Sequence, residues 1–283
     1  MTYSQYKIHF KKQLLSIYDD SESSRLFDVF VQHLTGWNSI EIRNARNEDV
    51  TENIEEKLNS FLSELTTGKP YQQILGETEF YGLKFFVDEH VLIPRPETEE
   101  LLELAIDKIN KSGSHNKDLK ILDIGTGSGI IPIVLKKHFP DAEVSAIDYS
   151  ENALKTAKRN ANFQQVEINF IHQDYLKANL TGVYDVIISN PPYIGIEEEG
   201  EIADSVKEFE PKMALFSPTS NALIFYEKIA EDCKSHLNEN GLVFLEINQK
   251  LGKETLELFT NVLSEAELMR DLSGNERIVW GRK

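Results

Sequence analysis

The chain has 283 residues, 40% of them hydrophobic and 27% charged, with 47 acidic residues against 30 basic ones and a formal charge of −17. That length allows one large domain with a smaller one beside it. The acidic balance argues against a protein that grips duplex nucleic acid, which needs a concentrated basic surface to gain from counterion release. A single cysteine, Cys233, excludes an internal disulfide framework, and no Cys/His spacing suggests a metal.

No apolar run approaches the ~18 residues that a membrane span requires. The opening Met1-Thr-Tyr-Ser-Gln-Tyr-Lys7 lacks the apolar core of a signal peptide. A cytoplasmic location is therefore expected, with a basic protein as partner rather than nucleic acid or membrane.

Residues 1–68 read as all-helical. Tyr3, Tyr6, Phe10, Leu14 and Ile17 recur at three- and four-residue steps, as do Leu26, Phe30 and Leu34, and then Ile54, Leu58, Phe61/Leu62 and Leu65. Asp49, with Glu52 three residues on, is placed to cap the last of these helices, and Gly68 to end it. Nothing catalytic stands out here, and the bundle is expected to recognise a partner. Residues 69–95 change to aromatic and β-branched composition punctuated by Gly76 and Gly82, which predicts a β-hairpin linking two domains. Pro96 at a first helical position, with Glu97, Glu99 and Glu100 in the opening turn, then starts a helix.

Beyond residue 116 strands and helices alternate. Strands are expected at 119–124, 143–147, 167–171, 184–189 and 241–247, and helices at 130–138, 151–162, 221–237 and 250–263. An antiparallel pair at 266–272 and 277–280 closes the series. Such alternation implies a doubly wound α/β sheet, with ligands at the carboxyl ends of its strands.

Two stretches bear on that end of the sheet. Ile121-Leu-Asp-Ile-Gly125-Thr126-Gly127-Ser128-Gly129-Ile130 is a strand, a glycine-rich turn and a helix start. Glycines admit a ligand close to the backbone, and the helix N-terminus offers free N–H groups. A dinucleotide fingerprint needs glycine or alanine where Ile130 stands, so the spacing suits a cofactor without a pyrophosphate. Asp148 ends the next strand, 23 residues after Gly125, and can accept both hydroxyls of a ribose as well as serve as a helix N-cap. Asp123 beside the turn can hold its loop or a ligand amine. His172-Gln-Asp174-Tyr175 can frame an adenine edge.

The second stretch is Asp185-Val-Ile-Ile-Ser-Asn190-Pro191-Pro192-Tyr193. Its β-branched run reads as a central parallel strand that two prolines, lacking N–H groups, bring to an abrupt end. The Asn190 amide, carbonyls without competing donors and the Tyr193 ring are suited to holding a planar –NH2 group. In this topology the glycine turn and Asn190–Tyr193 face each other over one crevice.

Gly125-x-Gly-x-Gly with Asp148 resembles the class I S-adenosylmethionine-dependent methyltransferases, and Asn190-Pro-Pro-Tyr resembles enzymes that methylate planar amide or exocyclic nitrogens. Six segments narrow the likeness: Tyr81-Gly82, Ile93-Pro-Arg-Pro-Glu-Thr-Glu99, Asn190–Ile194, Phe209-Glu-Pro-x-x-Ala-Leu215, Glu246-Ile-Asn-Gln249 and Asp271-Leu-Ser-Gly-Asn-Glu-Arg277. In this order over roughly residues 70–283, they resemble the peptide chain release factor glutamine methyltransferases, the PrmC/HemK family. The resemblance implies a class I Rossmann-like methyltransferase domain over 96–283 and transfer of methyl from S-adenosylmethionine to the glutamine of the Gly-Gly-Gln motif in class I release factors, tuning translation termination. It implies cofactor contacts from Gly125, Thr126, Gly127, Ser128, Gly129, Asp148, Tyr175 and Asn190. Asn190, Pro191, Pro192 and Tyr193 would hold the substrate glutamine, with Asn190, Pro191 and Tyr193 as the catalytic set, no metal, and a monomeric enzyme. The rival readings are an adenine or cytosine amino-methyltransferase, a nicotinamide-dependent oxidoreductase and a non-catalytic release-factor-binding protein.

Overall fold

A computed structural model describes residues 1–112, 119–201 and 203–283, and divides the chain into two compact units, Met1–Glu77 and Thr78–Lys283. The first unit is helical: α1 (Tyr3–Leu14), α2 (Asp20–Thr35), α3 (Ser39–Asn44), α4 (Glu52–Leu65) and α5 (Tyr71–Leu75). Thr2 and Gln5 form a reciprocal capping box that starts α1. The periodic residues Tyr3, Tyr6, Phe10, Leu14, Leu26, Phe30, Leu58 and Leu65 are buried together. Ile17 lies past the end of α1 and is exposed. Asp49 does not cap α4. Thr51 occupies the N-cap position without a side-chain bond, and Asp49 instead lies 3.7 Å from the amino group of Met1. Gly68 closes the turn after α4 with φ +87°, its N–H donating to Leu65 O.

The boundary falls after the first residue of β1 (Glu77–Phe80), which pairs with β2 (Leu83–Phe86) in a two-stranded sheet, followed by α6 (Pro96–Lys111) with its proline in the first turn. Then follow β3 (Lys120–Ile124), α7 (Ile130–His138), β4 (Glu143–Asp148), α8 (Glu151–Gln164), β5 (Asn169–His172) and β6 (Tyr184–Ser189). Two short helices, α9 (Asp204–Phe209) and α10 (Lys212–Leu215), precede α11 (Ile224–His236), β7 (Leu237–Glu246), α12 (Gly252–Thr260), β8 (Glu265–Arg270) and β9 (Glu276–Arg282). The sequence pattern does not separate α5, α9 or α10, and it places the start of β7 four residues too late. No described helix is long and apolar enough to cross a membrane.

The seven-stranded sheet has the order β5-β4-β3-β6-β7-β9-β8. β3 to β7 run parallel, and β9 enters antiparallel between β7 and β8. This is the expected doubly wound sheet with a closing antiparallel pair. Ile121, Val186 and Phe244 face one buried layer, and Leu122, Ile187 and Val243 face the other. A strand covered on both faces is apolar throughout, which explains the runs in β6 and β7. Each such side chain contributes roughly 1.5–3 kcal/mol by its burial. The arrangement holds β3 beside β6, with Ile124 paired to Ser189 at their carboxyl ends. The strand order reverses there.

Candidate active site

β3 leads into the turn Gly125–Gly129, where all three glycines adopt positive φ: +75°, +54° and +81°. The turn is tied to the neighbouring strand, since Gly125 N–H and Thr126 N–H both donate to Ile147 O, at 2.9 and 3.1 Å. Gly129 caps α7, and a Cβ there would lie 3.0 Å from the Ala157 Cβ, so this glycine also sets how closely α7 and α8 approach. Asn160, fully buried on α8, holds the outside of the turn. Its amide donates to Ser128 O and Phe86 O, both at 2.9 Å, and accepts from Phe86 N–H at 2.7 Å.

Asp148 at the end of β4 faces the turn. Its Oδ2 accepts from Gly127 N–H and its Oδ1 from Ser150 N–H, each at 2.8 Å. Burial raises its pKa, opposed by the N–H groups of Ser150, Gly127 and Tyr149. Ser150, not Asp148, caps α8, accepting from Ala153 N–H. A carboxylate has about four lone-pair sites, so each Asp148 oxygen keeps room for a further donor. That suits a ribose diol.

Asp123 lies behind the turn, fully buried, and neither of its carboxylate oxygens meets hydrogen-bond geometry with a protein donor. Burial pushes its pKa up to about 7, opposed by the Thr126 hydroxyl and reinforced by the charge of Asp148. Asp123 therefore sets its carboxyl behind the turn, whereas Asp148 is on the turn's open side.

Across the switch point β6 ends at Ser189, whose hydroxyl donates to Ile124 O at 2.7 Å. The next residue, Asn190, meets the glycine turn: a Cβ on Gly125 would lie 3.9 Å from Asn190 O and 4.0 Å from Pro191 Cα. The two motifs therefore wall one cavity of about 740 Å³, lined by Gly125, Thr126, Gly127, Ser128, Asp148, Tyr175, Asn190 and Pro192 among others. That volume is in the range of small-molecule sites. Gly129, Pro191 and Tyr193 do not line it. Gly129 turns toward Ala157, Pro191 is buried, and the Tyr193 ring packs against the apolar layer beneath β6 and β7.

Comparison with known proteins agrees with this geometry. The release factor glutamine methyltransferase of Flavobacterium psychrophilum is 42% identical over 283 residues, covering 99% of this chain and 98% of that protein. The chain belongs to the release factor glutamine methyltransferase family. The member from Streptococcus pneumoniae is 40% identical over 234 residues, 82% of this chain and 81% of that protein. Family models described as the PrmC N-terminal domain and the Methyltransferase small domain match residues 8–76 and 103–208. Among solved structures, a methyltransferase from Pyrococcus furiosus superposes with a TM-score of 0.51 at 16% identity, over 82% of this chain and 99% of that one. That likeness is one of fold.

In this family member the wall of the cavity at Tyr175 is built with more than one residue. Tyr175 donates to Asp232 Oδ2 at 2.7 Å, and Lys228 holds both Asp232 oxygens at 2.6 and 2.7 Å while standing 5.1 Å from the Tyr175 ring centre. Burial, then the hydrogen bond to Asp232, raises the Tyr175 pKa and keeps the phenol neutral. Its fixed ring face can pack on a flat heterocycle. Gln173 and Asp174 also line the cavity, whereas His172 turns to Tyr149 O at 2.9 Å.

Three further residues organise the site. Thr98 on α6 accepts from the Asn190 amide at 3.2 Å and donates to Glu246 Oε2 at 2.7 Å. Glu246, at the carboxyl end of β7 and 2% exposed, also accepts from the Tyr193 hydroxyl at 3.3 Å. Burial pushes its pKa up to about 6, against the pull of Thr98 and Arg277. Glu210, also buried, binds Arg95 at 2.6 Å and Ile93 N–H at 3.0 Å, so it ties the segment before α6 to the loop after Tyr193. Glu246 and Glu210 stand inside segments that carried the family resemblance; their hydrogen-bond partners Tyr193, Thr98, Arg95 and Ile93 lie 53 to 148 residues away and leave no local signal.

Proposed function

We propose that this protein transfers a methyl group from S-adenosylmethionine to the side-chain amide nitrogen of a release-factor glutamine, in the crevice between Gly125–Gly129 and Asn190–Tyr193. The contact of Asn190 and Pro191 with Gly125 carries the reading, because it brings the cofactor turn and the amide-holding tip into one cavity. In this reading Asp148 accepts the ribose hydroxyls, the Gly125, Thr126, Gly127, Ser128 and Gly129 turn lies against the methionine portion, and Tyr175 flanks the adenine. Asp123 supplies negative charge to the amine end.

S-adenosylmethionine, when bound, supplies a methyl on a sulfonium, already activated for displacement. The protein's task is then largely positioning. An amide nitrogen is a weak nucleophile because its lone pair is delocalised into the carbonyl. Asn190 Oδ1, on the cavity wall, accepts one of its hydrogens and draws electron density to nitrogen. Pro192, on the cavity wall, flanks the amide and limits its rotation, while Tyr193 braces the motif from beneath through the apolar layer and Glu246. The residues around Asn190 would need only to hold the nitrogen in line with the methyl, because the sulfonium sulfur would take up the electron pair of its bond to that methyl. The nitrogen sheds one proton to solvent, so no strong general base is needed.

A cytoplasmic monomer acting on the Gly-Gly-Gln loop of class I release factors completes the reading, with the helical unit of residues 1–77 engaging the substrate protein. The net charge of −17 suits a basic protein substrate better than a polyphosphate. The test is mass spectrometry of the Gly-Gly-Gln peptide from an unmethylated release factor after incubation with S-adenosylmethionine and this protein. One added methyl on the glutamine side chain is expected. An unmodified peptide, with cofactor binding confirmed separately, would remove the substrate assignment.

A further inference from the structure

An amide such as Asn190 can present either its oxygen or its NH2 to a ligand, and the two ends are nearly isosteric. Only the oxygen end can accept hydrogens from a substrate amide. The reverse orientation would set NH2 against NH2. Something must therefore choose the end.

The hydrogen-bond chain at the carboxyl ends of β6 and β7 makes that choice. Ionised Glu246 can only accept. The Thr98 hydroxyl has one hydrogen, and it is committed to Glu246 Oε2 at 2.7 Å. Toward Asn190, 3.2 Å away, Thr98 can then only accept, so Asn190 must turn its NH2 to Thr98. Its oxygen is left for the cavity, which both Asn190 and Thr98 line. The second Glu246 oxygen accepts the Tyr193 hydroxyl at 3.3 Å and so fixes the ring at the other end of the motif. Its backbone carbonyl accepts from Tyr226 at 2.9 Å, which anchors the carboxyl end of β7. A purely structural role fits poorly. Burying a carboxylate is costly, and valine and phenylalanine at 98 and 193 would fill the same space without needing an acceptor.

We infer that Glu246 is a positioning residue for the amide site: through the Thr98 hydroxyl it sets which end of Asn190 faces the substrate, and through Tyr193 it holds the motif's aromatic ring. The inference rests on the reading of Asn190 Oδ1 as an acceptor for the substrate glutamine. Glu246 reaches the reacting groups only through Thr98 and Tyr193. The chain spans α6, β6 and β7, so the acceptor geometry is set by the sheet and not by the Asn190-Pro-Pro-Tyr loop alone.

The experiment compares full-length T98V, T98S, E246Q and N190A in methyl transfer to a release factor, with cofactor affinity and thermal midpoint measured on each. Valine keeps the shape of Thr98 but cannot relay, and serine keeps the hydroxyl. T98V should lower kcat by about tenfold or more, as misplacing a positioning group does, with cofactor affinity unchanged. T98S should restore most of that loss. E246Q can accept from only one of its two donors and should fall at least as far as T98V, and the T98V/E246Q double variant should fall no further than E246Q. T98V turning over close to the wild-type rate while N190A is inactive would overturn the relay and leave the amide site standing. Equal losses in T98V and T98S, tracking a lowered thermal midpoint, would overturn it in favour of packing. An active N190A would instead remove the amide-site reading itself.

Discussion

Asp148 Oδ2 accepts the backbone N–H of Gly127 at 2.8 Å, so the acid assigned to the ribose also shapes the turn assigned to the methionine portion. One carboxylate would thus couple both halves of the proposed cofactor site. Asp148→Ala removes two charge-assisted acceptors, from Gly127 and Ser150, each worth about 1.5–3 kcal/mol. Cofactor affinity should fall by about 100-fold or more, read by isothermal titration, with a lowered thermal midpoint. Asp148→Asn should lie between, because its NH2 meets one of the two N–H groups unfavourably. Affinity unchanged in Asp148→Ala would remove Asp148 from the cofactor site.

Gly129 and Gly36 both adopt left-handed φ, +81° and +72°, but differ in what surrounds them. A Cβ on Gly129 would meet Ala157 at 3.0 Å and Ile133 at 3.3 Å, whereas one on Gly36 meets nothing within 4 Å. Gly36→Ala should therefore cost only the backbone strain of about 1–2 kcal/mol. Gly129→Ala adds crowding between α7 and α8 and should cost about 1–3 kcal/mol more. It should also weaken cofactor binding, since the turn must shift. Urea unfolding of both variants checks the order.

The parts legible in the sequence were those carried by local pattern. The alternation of strand and helix, the glycine turn, the acid ending β4 and the Pro-Pro stop after β6 each show within about ten residues, where periodicity and backbone chemistry act. The helices α9 and α10 escaped because six and four residues carry too little apolar spacing to show a period. The α4 cap was misplaced because Asp49 and Thr51 are both acceptable cap residues and the chain used the nearer one. Tyr193 reads as a cavity residue from its place at the strand tip. Its ring was instead drawn into the apolar layer, with its hydroxyl on Glu246, because burying a large aromatic outweighs leaving it at the rim. Thr98, Glu210 and Glu246 were set in place by strand pairing and helix packing, which a single sequence does not encode locally.

Asp123 makes stability depend on pH in a known direction. Burial holds its pKa at about 7 in the folded chain against an ordinary 3.8. The folded state therefore binds this proton more tightly than the unfolded chain. The associated stability is fully present below pH 4 and is lost as pH rises through 7. The gap corresponds to on the order of 4 kcal/mol. Asp123→Asn keeps the shape without a charge, so its advantage over wild type should grow between pH 4 and 7 and then level off. Unfolding free energies of both proteins across that range provide the check. A difference independent of pH would show that Asp123 is not the titrating group.

Arg95 and Glu210 offer a separable test of how the walls of the cavity are held. Arg95 Nη2 meets Glu210 Oε1 at 2.6 Å, and the Glu210 side chain is 1% exposed while Arg95 is 35% exposed. Removing the arginine strands a buried carboxylate, a change that costs about 3–5 kcal/mol for fully buried pairs. Because Arg95 is partly solvated, roughly 1–3 kcal/mol is expected for Arg95→Met. Glu210→Gln loses the charge but keeps an acceptor for Ile93 N–H, now bonded to Glu210 Oε2 at 3.0 Å. Combining the two should therefore recover most of the loss, with a coupling energy of about 1–2 kcal/mol. Arg95 also lines the cavity, so Arg95→Met should raise KM for the release factor more than the double variant does. Additive thermal effects in the two single variants would show that the ion pair does not hold the segment before α6 to the loop after Tyr193.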